Sequence, residues 1–130
     1  MHRALGLSCL LASSVVLASS PPAPVAATLE TPVTLVLGGA ATFGQFIVIY
    51  QRVVNDSRCP ENARCIWAGS VKVRLSVGTV TATPRELDLE LMRPDRPPSV
   101  EQDGYRVTVL GVSRSGEQLT LKVARVTPTK

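Results

Sequence analysis

Four segments of this chain alternate apolar and polar residues with a period of two, and no other feature constrains the fold as tightly. In VKVRLSV, Val71, Val73, Leu75 and Val77 alternate with Lys72, Arg74 and Ser76. Leu87, Leu89 and Leu91 alternate with Asp88 and Glu90; Tyr105, Val107 and Val109 with Arg106 and Thr108; Leu119, Leu121 and Val123 with Thr120 and Lys122. Successive side chains of a strand point to opposite faces, so each run predicts a strand with one buried and one wet face. No segment spaces its apolar residues by three and four, so no helix is expected.

Two further runs, VTLVL at Val33 to Leu37 and QFIVIYQRVV at Gln45 to Val54, are more continuously apolar and rich in β-branched residues. They read as central strands covered on both sides. Turn signals separate the runs: Gly38-Gly39, Gly78-Thr79, the proline-rich Pro94 to Ser99, Asp103-Gly104 and Ser115-Gly116, the last predicting a hairpin. Pro94 to Gly104 is expected to be an exposed loop. Six or seven short strands predict an all-β protein, a small antiparallel β-sandwich or barrel, immunoglobulin-like only loosely.

The start of the chain reads differently. His2 and Arg3 precede an apolar run from Ala4 to Ala18 and then small residues, the order of a secretory signal peptide. The run is shorter than the roughly twenty residues that span a bilayer, and no later segment is long and apolar enough to do so. Cleavage is expected after Ala27, with Ser20 as the competing site. A lipid anchor on Cys9 is disfavoured by the eight residues ahead of it and the poor preceding triplet Gly6-Leu7-Ser8. Residues 28–130 then form a single β domain in the periplasm or outside the cell.

Composition removes most chemistry. The only histidine is in the leader, which eliminates Ser/His/Asp and Cys/His catalysis and leaves too few ligands for a structural zinc site. Asp88 and Glu90 share a strand face, but opposite the leucines, where a solvated surface is the simpler reading. No catalytic residue, metal or cofactor is expected. The net charge of +4 is scattered and lacks interleaved aromatics, so nucleic acid is not an expected partner.

The remaining candidate is DSRCPENARCIWAG, Asp56 to Gly69. Two cysteines, Cys59 and Cys65, survive loss of the leader, and an even count in an oxidising compartment predicts a disulfide. A redox-active pair would have two residues between its cysteines and precede a helix. Asp56 and Ser57 suit the turn out of the preceding strand. Arg58 and Arg64 flank the ring as partners for Asp56 or Glu61. Trp67 is expected to pack over the disulfide, with Ala68 and Gly69 small beneath the indole.

DSRCPENARCIWAG followed by SVKVRLSV resembles the marker of an uncharacterised family of small secreted or lipid-anchored bacterial proteins, in which DSRCP, four residues, C-x-W-A-G and an alternating strand recur. GGAATFGQFIVIYQRVV ahead of it and GYRVTVLGV behind it resemble that family's flanking strands. The resemblance implies an exported β domain with Cys59 bridged to Cys65, and no catalytic residue or ligand. This chain lacks the lipid-anchoring cysteine that some members carry just before the domain.

These readings lead to a non-catalytic binding or structural envelope module. Its candidate recognition residues are Arg58, Arg64 and Trp67, its expected partner an envelope protein or polysaccharide recruited through the rigid ring or an exposed edge strand. The alternative is a protease inhibitor presenting residues 60–64 as bait, with Arg64 in the specificity pocket.

Overall fold

The alternating runs are strands of two stacked sheets. A computed structural model describes residue 6 and residues 10–15, 22–60, 64–66, 69–93 and 95–126. Among these are nine strands and no helix: β1 (Val25–Ala26), β2 (Val33–Val36), β3 (Ala40–Phe43), β4 (Phe46–Asp56), β5 (Val71–Thr79), β6 (Arg85–Leu91), β7 (Ser99–Gln102), β8 (Tyr105–Val112) and β9 (Gln118–Arg125). One sheet has the order β1-β3-β4-β5-β6 and the other β2-β9-β8-β7. The protein is therefore a β-sandwich, with more strands than the six or seven expected.

The core is the inward half of each alternation. Val71, Val73, Leu75 and Val77 from one sheet meet Val107, Val109, Leu119, Leu121 and Val123 from the other, all buried. Phe46 stacks on Tyr105 across the two sheets at 4.5 Å between ring centroids, a geometry that adds to the area both rings bury. Fully buried Tyr50 also spans the sheets, donating its hydroxyl to the Gly116 carbonyl at 2.6 Å. Burial raises the Tyr50 phenol above its ordinary value, because the phenolate would lose its hydration.

Three sequence expectations change. First, β2 is an edge strand with only Leu35 buried, not a covered central one. β4 is the middle strand of its sheet, but its outward Ile47 and Ile49 are half-buried, so its apolar character does not mean burial on both faces. Second, the segment from Pro94 to Gly104 contains β7, which pairs with β8 from Ser99↔Thr108 to Gln102↔Tyr105. Its two-residue turn places Asp103 and Gly104 at φ 53° and 80°, the doubly left-handed form that suits the twist of a hairpin. Third, Gly78-Thr79 lies within β5 rather than at a turn, and the chain reverses after Thr79. The Ser115-Gly116 hairpin between β8 and β9 is as expected.

β1 falls inside the segment assigned to the leader. Val25 and Ala26 pair in parallel with Ala41 and Thr42, and the Ala27 amide donates to the Thr42 carbonyl at 2.9 Å. Ala27 and Leu29 pack against the core.

A bulge in β4 aims the chain at the candidate site. From Tyr50 to Val53 this strand uses three steps where β5 uses two, from Leu75 to Val73. The extra residue reverses the inward parity, so Val53 packs on the core after Tyr50. A second irregularity follows before Asn55, and the strand ends with Asp56 opposite Val71.

Candidate functional site at the disulfide end

β4 and β5 are adjacent antiparallel strands, so the residues between Asp56 and Val71 form one long connection at the end of the sandwich. Two serines close its base. The Ser57 amide donates to the Ser70 carbonyl at 2.8 Å, and the Ser70 amide donates to the Ser57 hydroxyl at 3.1 Å. Gly69 is required by this closure, because a Cβ there would lie 1.8 Å from the Ser57 carbonyl oxygen and 2.7 Å from the Arg58 Cα. The reason for the small residue is thus the backbone of the opposite strand of the loop. Trp67 and Ala68 lie outside the described residues, as do Glu61 and Cys9.

Cys59 and Cys65 form the expected disulfide, with their Cα atoms 5.8 Å apart. A six-residue extended span covers about 20 Å, so the ring's ends stand far closer than an extended bait would place them.

Arg58 holds this loop to the opposite sheet. Its Nη1 donates to the Val112 carbonyl at 2.6 Å and its Nη2 to the Ser113 carbonyl at 2.8 Å, where β8 enters its hairpin. Asp56 orients the guanidinium with a two-point ion pair, Nε to Oδ1 at 2.9 Å and Nη2 to Oδ2 at 2.8 Å, and also accepts the Arg58 amide. The fork geometry of arginine is what allows carboxylate and carbonyls to be served together. Hydrogen bonds from Arg58 hold the Asp56 carboxyl below its ordinary value, burial opposing them in part. The Arg58 side chain is only 18% exposed. Asp-Ser-Arg is therefore a structural unit: the carboxylate aims the arginine, the serine closes the loop base and the arginine ties one sheet to the other.

Arg64, the second candidate, lies elsewhere. It is exposed and makes no hydrogen bond or ion pair to another described residue. Ile66, one residue past Cys65, is 95% exposed. Arg58 and Arg64 thus have opposite environments despite flanking the same ring.

Two residues that sequence reading did not single out complete this end. Arg114, at the tip of the β8–β9 hairpin, donates Nη1 to the Cys59 carbonyl at 2.5 Å. Met92, just past β6, is 62% exposed. Sequence separation hid both, since Arg114 stands 55 positions beyond Cys59 and only the pairing of β8 with β9 brings the hairpin tip here.

The carboxylate pair resolves into separate surface contacts. Asp88 accepts from Arg74 Nε at 2.9 Å and Nη2 at 3.2 Å, which lowers its carboxyl below the ordinary range. Glu90 accepts the Ser70 hydroxyl at 2.6 Å. Both sit on the outer face of β6, across from β5. Among the described residues no group of three or more His, Cys, Asp or Glu is placed to hold a metal ion. Comparison with protein-family models, with curated proteins and with solved structures finds no match.

Proposed function

We propose that this protein is an exported, non-catalytic binding module of the bacterial envelope, periplasmic or secreted, which recruits a partner through the disulfide-stapled end of its sandwich. One observation carries the reading. The loop is held at that end by the Cys59–Cys65 bridge, the Ser57–Ser70 closure and the Arg58 tie, while Arg64 and Ile66 beside the bridge are exposed. A preorganised loop loses little entropy on association, and an exposed isoleucine on a rigid frame suits an interface better than a solvated surface. The likeness of DSRCPENARCIWAG to a family of exported bacterial proteins supports the same reading.

The experiment is affinity capture from the native envelope fraction with wild-type protein and with Arg64→Glu/Ile66→Asp. A partner retained by the wild type and lost with the variant is expected. Equal capture by both would remove the loop from the interface. The inhibitor reading is weakened by the short distance between the ring's ends; stable inhibition of a trypsin-like protease, abolished by Arg64→Ala, would restore it.

A further inference from the structure

β6 is the last strand of its sheet, and its far side is the longest open edge among the described residues. It runs for seven residues, Arg85–Leu91, and pairs with β5 without a bulge from Val77↔Arg85 to Val71↔Leu91. The other edge strands are short, two residues in β1 and four each in β2 and β7, and prolines precede β2 and β7. Every second residue of an edge strand turns its N–H and C=O away from its partner. Among the described residues none of these groups in β6 meets another backbone group.

The apolar side of β6 is also incompletely covered. Leu87, Leu89 and Leu91 pack against the core yet stay half-buried, as does Val100 of β7, the last strand of the opposite sheet. Arg85 joins the two edges at one end, donating Nη1 to Gln102 Oε1 at 3.3 Å. One more strand beside β6 would pair the open backbone groups and lay its inward side chains over these leucines.

Charge selects the occupant. Glu86, Asp88 and Glu90 alternate with the leucines and face outward. Asp88 is committed to Arg74, but Glu86 makes no hydrogen bond or ion pair to a described residue, and Glu90 accepts the neutral Ser70 hydroxyl. A second copy pairing β6 antiparallel about Asp88 would set Glu86 against Glu90 and Asp88 against its own copy, like charges directly opposed. We infer that β6 receives an extended segment of a protein partner, added as a sixth strand to this sheet, with apolar residues turned inward and basic residues beside Glu86 and Glu90. A polysaccharide offers no ladder of amides at strand spacing. This surface is separate from the stapled loop and goes beyond the binding reading above, which does not depend on it.

The test is amide-resolved NMR and hydrogen exchange on the full chain titrated with the capped peptide Val-Lys-Leu-Thr-Leu-Lys-Val, whose lysines meet Glu86 and Glu90 when it runs antiparallel to β6. Expected is protection of the alternate β6 amides that β5 leaves unpaired. Affinity should be at least about fivefold weaker for Glu86→Lys, or for a peptide with glutamate in place of both lysines. N-methylation of one alternate set of peptide amides should abolish binding, and of the other set should not. Glu86 is exposed, so Glu86→Lys should melt as the wild type does. No protection in β6, equal binding of the glutamate peptide, or indifference to both N-methylated peptides would overturn the proposal, as would a dimer that protects the same amides without peptide. Arg64→Glu/Ile66→Asp should bind the peptide as the wild type does; weakened binding would put the peptide on the loop and overturn the edge reading.

Discussion

Replacing Arg58 by methionine keeps the length of the side chain and removes every donor it offers. The carbonyls of Val112 and Ser113 lose bonds of 2.6 and 2.8 Å, and Asp56 loses its guanidinium partner while keeping the residue-58 amide. Charge-assisted bonds contribute about 1.5–3 kcal/mol each when fully buried. Here the Arg58 and Asp56 side chains are 18% and 32% exposed, so water replaces part of the loss. About 1 kcal/mol for each carbonyl and about 0.5 kcal/mol for the ion pair give a destabilisation of about 2.5 kcal/mol. For a domain of this size that lowers Tm by roughly 10–20 °C, readable by circular dichroism and urea unfolding. Asp56→Asn should cost less, because it leaves both carbonyl bonds in place. The pH dependence carries a sign. Asp56 titrates lower folded than unfolded, so its contribution is complete above about pH 4 and is lost as pH falls through the depressed folded value. Arg58→Met should reduce that share of the acid sensitivity, the residue-58 amide and Arg114 still favouring the carboxylate, and leave the share of Asp88, which Arg74 holds low independently. A variant within about 0.5 kcal/mol of wild type, with unchanged acid sensitivity, would refute the role of Arg58 as the tie between sheets.

Three other perturbations and one measurement probe the rest of the frame. Tyr50→Phe leaves the buried Gly116 carbonyl without its hydroxyl donor and should cost about 1–2 kcal/mol in urea unfolding. The raised phenol pKa means wild-type stability falls as pH rises through the folded value, and Tyr50→Phe should remove that alkaline component. Cys59→Ser/Cys65→Ser opens a small ring and should cost about 2 kcal/mol by chain entropy, measured against the oxidised protein. Gly69→Ala forces apart the Ser57 and Ser70 backbones and should destabilise by at least about 2 kcal/mol, with faster exchange of the Ser57 amide. N-terminal sequencing of exported protein should find cleavage after Ser20, which retains β1 on the β3 edge; a terminus at Thr28 would show that the domain matures without that strand.

The two-sheet architecture was legible because it follows from a local rule. Val71 to Val77 and Leu119 to Val123 declare their buried faces by parity alone, and the pairing of Leu75 with Leu87 or Val109 with Leu121 follows once alternate residues must leave water. The disulfide was legible from the cysteine count and the expectation of an oxidising compartment. β2 and β4 were harder, since continuous apolar sequence fits a covered strand and a half-exposed one equally well. β7 was hidden because prolines dominate its approach, while its partner is supplied by β8.

At the disulfide end the division is sharper. Sequence alone determined that Asp56, Arg58 and Gly69 would belong to a turn-rich stapled connection, because their chemistry is local. Tertiary structure decided what each does there. Arg58 became a strut because β8 ends with two carbonyls in its reach. Gly69 is glycine because the Ser57 backbone passes through the space of its missing Cβ. Arg114 meets Cys59 because the pairing of β8 with β9 carries the hairpin tip across 55 residues of chain. Parity and composition act between neighbours in sequence, whereas hydrogen bonds between loops of different sheets exist only after both sheets have closed on a common core.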